Sequence, residues 1–150
     1  MIVGWKIVSR DHNERERRKE LRASIIAFQD RVRICEEKGL EYWLSAADSE
    51  RATALSVSLK STLQSIAAEL ARIQVACPGI NANSEMVRFR RALTGAPFEA
   101  ANRTPCQPGA ERLADISDAA CDLTDTVDSG YLLHIDEGPL RRWKRRFLDS

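Results

Sequence analysis

One stretch governs what this chain can fold into. From Leu55, the residues Leu59, Leu63, Ile66, Leu70, Ile73 and Cys77 follow at steps of 4, 4, 3, 4, 3 and 4. That spacing lines apolar side chains along one face of an α-helix and cannot line one face of a strand. Pro78-Gly79 ends it. The pattern predicts a helix over 49–77, and a helix of this kind is stable only when its stripe lies against another apolar surface.

A second stripe upstream supplies such a surface. Leu21, Ile25, Phe28, Val32 and Cys35 step by 4, 3, 4 and 3, which predicts a helix over 14–47. Asn13 with Glu16 reads as a capping-box start, and Glu14 stands one turn from Arg18. Gly39 falls on the stripe, so it marks either a close helix contact or an early end, with Tyr42 and Ala46 continuing beyond it. The first stripe, extended, calls for core positions at 49 and 53, whereas the second runs through 52, 55 and 59. That slip places a tight turn at Asp48-Ser49, with one of the two as the new N-cap. Two antiparallel helices of roughly 40–50 Å would then form a hairpin.

Shorter helices are expected after it. Ser84 opens a helix over 84–94 with Met86, Phe89 and Leu93 inward and Arg88 and Arg91 outward, closed by Gly95. A Pro- and Gly-rich loop fills 95–109. A fourth helix over 110–128 carries Leu113, Ile116, Ala120, Leu123 and Val127, with Gly130 as its C-cap. Residues 131–150 form a basic tail in which Leu140, Trp143 and Phe147 keep helical spacing. No strand alternation and no internal repeat is present. The expected fold is all-α: one domain, 1–150, in which a long antiparallel hairpin over 14–77 packs with two or three shorter helices as a helical bundle, preceded by an N-terminal segment over 1–13.

Net charge is only +1, so any electrostatic partner preference is local. Residues 1–22 hold seven basic and four acidic residues. Residues 111–130 hold one basic and six acidic residues, and 131–150 five basic and three acidic. Asp115, Asp118, Asp122 and Asp125 form a stripe of their own, each two residues after an apolar stripe member and therefore about 200° around the helix from the core. Like charges at these spacings repel. The stripe is a solvated face, a contact for cationic groups of this chain or a second copy, or a dock for a basic protein surface. The tail, Arg141, Arg142, Trp143, Lys144, Arg145 and Arg146, has three parallel readings. It grips phosphates with Trp143 stacked on a base, lies on anionic lipid, or straps onto the bundle through its apolar trio.

Chemistry has little to stand on. His12 lies in a charged stretch, and His134 sits beside Asp136 and Glu137 without the second ligand pair a zinc site requires. Cys106, in the loop near Arg103, is the best candidate for a reactive thiol, with His134 as the base it would need. No phosphate loop, hydrolase elbow or calcium loop occurs. No cofactor and no metal are expected. The four cysteines form no paired motif, which fits reduced thiols and a cytoplasmic setting. MIVGWKIVSR holds too short an apolar run, broken by Lys6, for a membrane span or a signal peptide. The expectation is a non-enzymatic adaptor or inhibitor that binds a protein partner, possible homo-oligomerisation included. Direct nucleic-acid binding through the tail, or peripheral membrane attachment through the N-terminal segment, is the alternative.

Overall fold

The computed structural model describes the backbone of residues 3–136 and the side chains of 14–135. Within it the two long stripes meet. α1 (Val3–Leu44) and α2 (Glu50–Ala76) pack against each other. Polar pairs at their margin fix the direction: Lys38 donates to Ser58, while Arg31, seven residues back on α1, donates to Ser65 and Glu69 farther along α2. The hairpin is antiparallel. Its turn falls where the phase slips, and Ser49 is the N-cap, its hydroxyl accepting the Ala52 N–H at 3.1 Å.

α3 (Asn83–Thr94) packs on α4 (Glu111–Asp136), and α4 returns along α1. The Cys106 N–H reaches the Trp43 carbonyl at one end of that seam, and Arg22 reaches Asp128 at the other. The result is an all-α helical bundle with α1 at its centre and no strand among the described residues. Its core joins the predicted stripes, with Ile25, Phe28, Leu59, Ile66, Phe89, Ile116, Leu123 and Val127 fully buried.

Several predicted boundaries are corrected. Asn13 does not start α1, which begins at Val3; no proline or glycine interrupts residues 5–38, so the helix has no reason to stop at a single Asn. Glu16 pairs with Lys19 rather than capping. Ser84 does not cap α3 either. The N-cap position is Ala82, which makes no side-chain bond; buried Ile80 and Ala82 set the entry instead, and the Ser84 hydroxyl turns to Glu85.

The largest correction is Gly130. It lies inside α4, which continues to Asp136 and, at 26 residues, is nearly as long as α2. A Cβ at Gly130 would come within 2.9 Å of Ile80 Cγ1 and 3.2 Å of the Ile80 Cα. The glycine lets α4 pass the 77–82 connection and does not end the helix. Gly39 is likewise a contact: a Cβ there would collide with Leu93 Cδ2.

Pairing Leu44 with Glu50 brings the end of α2 level with about residue 18 of α1 at equal rise per residue. Residues 14–20 are accordingly exposed all round. The 95–109 loop is ordered by a cation. Arg103, only 5% exposed, donates to the Trp43 and Ser45 carbonyls at 3.4 and 2.9 Å. α1 has no basic residue in its own last turn, and Arg103 supplies the charge that a helix C-terminus favours. Its guanidinium also lies over the Tyr42 ring, 4.4 Å from the centroid.

Candidate interaction surface

α4 presents two chemistries. Ile116, Ala119, Ala120, Leu123, Val127 and Tyr131 are buried, and Leu113 is half-buried against the core. Asp115, Asp118, Asp122 and Asp125 are all exposed on the opposite side. The structure therefore brings the predicted acidic residues onto one open face. Arg88 of α3 pairs with Asp122, and a fifth aspartate, Asp128, pairs with Arg22 at 2.8 Å. Asp115, Asp118 and Asp125 have no ion-pair partner among the described residues. Exposed pairs such as Arg88–Asp122 contribute under about 1 kcal/mol, so most of the stripe's charge remains available.

No family model matches this chain, and no curated protein or solved structure matches it either. The surface itself must carry the functional argument.

The stripe contains the exposed thiol, Cys121. Its Sγ donates to Asp125 Oδ2 at 3.6 Å. That bond, the Asp125 charge, and then Asp122 and Asp118 push its pKa up and keep it a thiol. At pH 8, iodoacetamide should label Cys121 more slowly than an ordinary surface cysteine, and Asp125→Asn should speed the labelling. Site-resolved mass spectrometry reads both rates; an equal or slower rate in the variant would contradict the assignment.

The proposed Cys106–His134 pairing is excluded by distance. Cys106 lies beside Trp43 at the C-terminal end of α1, whereas His134 lines a cleft with residues of α1 from Glu14 to Ser24. Residues 111–134 of α4 separate the two ends, about 35 Å at 1.5 Å per residue. Cys106 is half-buried against the core, and burial pushes the Cys35 thiol up to about 12. None of the four cysteines is in a disulfide. Among the described residues, no group of three or more His, Cys, Asp or Glu side chains could hold a metal ion. Among the described residues, no helix is long and apolar enough to cross a membrane. His12, the N-terminal segment over 1–13, and Arg141, Arg142, Trp143, Lys144, Arg145 and Arg146 of the tail lie outside the described side chains.

A second face escaped the sequence reading. Ala54, Val57, Ser61, Gln64, Ala68, Ala71 and Val75 step by 3 and 4 along α2, about 200° from its core stripe, and all are exposed. Six turns of outward surface carry no charge at these positions. Val57 is 60% and Val75 83% exposed. The signal was present in the spacing, hidden by the stronger stripe beside it.

Proposed function

We propose that this protein is a non-enzymatic, cytoplasmic interaction module, an adaptor or inhibitor whose acidic α4 face binds a basic surface of a protein partner. A component of a nucleic-acid-handling machine is a fitting partner, because such a surface is built to hold rows of phosphates. One observation carries the reading: four aspartates project from one face of a helix whose other face is anchored in the core, and three of them lack an ion-pair partner among the described residues. Repulsion along that row disfavours the isolated helix. A cationic partner converts it into attraction and steers association.

The test is charge neutralisation. In the triple variant Asp115→Asn, Asp118→Asn, Asp125→Asn, the fold is expected to hold, with a melting temperature equal to or slightly above that of the parent. Partner affinity should fall at least tenfold, and the parent complex should weaken with added salt. Unchanged affinity in a folded variant would reject the acidic face as the binding surface.

The uncharged face of α2 supports a second reading, self-association. A seam of small residues lets two helices approach closely, and an exposed heptad-like stripe is the pattern that coiled-coil partners share. Light scattering across a concentration series should show a dimer that Ala68→Glu dissolves. A parent chain that stays monomeric up to about 100 μM, a concentration at which even a weak micromolar contact is populated, would exclude it.

A further inference from the structure

Around the core, α1 packs closely with α2 and with α4, and α3 packs closely with α4. α2 and α3 stand farther apart, and two polar ties span them. Gln74 donates to Asn83 at the start of α3, 3.1 Å away, and Lys60 donates to Glu99, just past the end of α3, at 2.8 Å. α3 therefore runs antiparallel to α2. The core below this seam is closed, with Leu63 5% and Met86 9% exposed. Above that floor lies a cleft of about 460 Å³, a volume in the range of small-molecule sites.

Side-chain size gives the cleft its depth. Lys60, Leu63, Gln64 and Ala67 turn one face of α2 toward it, and at Ala67 that face offers only a methyl group. Across from them Val87 of α3 is 66% exposed, and half-buried Phe98 stands at the loop end. Charge then selects the head group of a ligand. Lys60 and Arg90 line the cleft with a single carboxylate, Glu99. Glu99 is fixed in place: its φ is 60°, in the left-handed region, and its N–H donates to the Tyr42 hydroxyl at 2.9 Å. A residue other than glycine keeps that conformation only where its surroundings impose it. Hydrogen bonds from Lys60 and then Ser56 hold the Glu99 carboxyl below its usual range, so it neutralises Lys60. Arg90 has no ion-pair partner among the described residues.

One positive charge is thus left beside apolar walls. We propose that this cleft binds a small amphipathic monocarboxylate of the medium-chain fatty acid type, with its carboxylate on Arg90 and its chain against Ala67, Val87 and Phe98. A guanidinium can hold a carboxylate through two parallel hydrogen bonds, and the apolar chain gains by leaving water. The Glu99 carboxylate on Lys60 is the same pairing made within the chain. A dianion would leave one charge uncompensated, and a cation would meet Arg90. The cleft shares no residue with the aspartate stripe of α4 and only Gln64 with the outer stripe of α2, so it stands or falls apart from both readings above.

The test titrates decanoate, below its micelle-forming concentration, into the full isotope-labelled chain and follows the backbone amide resonances. Decanol and decyltrimethylammonium serve as the neutral and cationic controls. Decanoate should give saturable shifts centred on Leu63, Ala67, Val87 and Phe98, with both controls binding more weakly by about fivefold or more, the scale of one exposed ion pair. Arg90→Gln removes the free cation and Ala67→Phe fills the cleft; both positions are exposed, and circular dichroism confirms that each variant is folded. Either should weaken decanoate by about fivefold or more, while Arg91→Gln, outside the cleft, should leave it unchanged. Absence of saturable shifts, or shifts centred elsewhere, would overturn the proposal. Equal binding of decanoate and decanol, or an Arg90→Gln variant that binds decanoate as the parent does, would overturn the carboxylate assignment.

Discussion

Replacing Trp43 with alanine is expected to cost about 3–5 kcal/mol, the range for deleting a fully buried large aromatic. On a chain of this size that is roughly 6–20 °C of melting temperature. Trp43 is 1% exposed and joins three parts of the fold. Its Nε1–H donates to the Leu93 carbonyl at the end of α3, 3.0 Å away. Its ring meets Tyr42 edge-on at 5.4 Å and Phe98 of the 95–109 loop at 6.4 Å. Arg112 of α4 lies 4.1 Å from its centroid and binds the Ala96 carbonyl at 2.7 Å. Alanine removes all of these at once and leaves a cavity that helices on three sides cannot collapse to fill. Trp43→Phe keeps most of the burial and should cost less than half as much. A thermal melt of both variants checks the ordering; a Trp43→Ala loss under about 1 kcal/mol would mean that this junction does not organise the bundle.

Arg103→Ala should be the next most damaging substitution, at about 2–4 kcal/mol. Hydrogen bonds from a charged donor contribute about 1.5–3 kcal/mol and a guanidinium over an aromatic ring about 0.5–2 kcal/mol. Relief of the desolvated charge offsets part of that sum. The Trp43 carbonyl would keep its bond from the Cys106 N–H at 2.8 Å, but the Ser45 carbonyl would lose the guanidinium. Among the described residues Arg103 has no carboxylate partner, and its Nε makes no hydrogen bond, so its role is to cap α1 and tie down the loop. Arg103→Lys should not rescue the loss, because one ammonium cannot span two carbonyls and also lie flat on Tyr42. Denaturant unfolding of the three proteins decides this; a lysine variant as stable as the parent would contradict the geometry.

These two residues also mark where reading the sequence stops. The stripes were legible because a helix core repeats every three or four residues, and a cap at Asp48 or Ser49 followed from the slip between two such repeats; the structure selects Ser49. The aspartate stripe of α4 was legible for the same reason. Arg103 was not. Its partners are backbone carbonyls some sixty residues upstream, and a side chain that binds backbone leaves no pattern in the residues it binds. Gly130 misled because glycine after an apolar run usually ends a helix, whereas here it admits Ile80, a contact set by the path of the 77–82 connection. Asn13 misled because a capping residue inside a charged, glycine-free stretch also sits comfortably in a continuing helix. Local signals identify the elements; contacts distant in sequence decide which of several local meanings holds.

The acidic face of α4 is proposed to recognise a protein. Affinity capture from nuclease-treated lysate of the native host, run in parallel with the wild-type chain and the Asp115→Asn, Asp118→Asn, Asp125→Asn variant, tests it most directly. A stoichiometric protein partner that survives nuclease should be captured with the wild type and lost with the folded variant. Equal capture by both chains, or capture that disappears with nuclease, would contradict it.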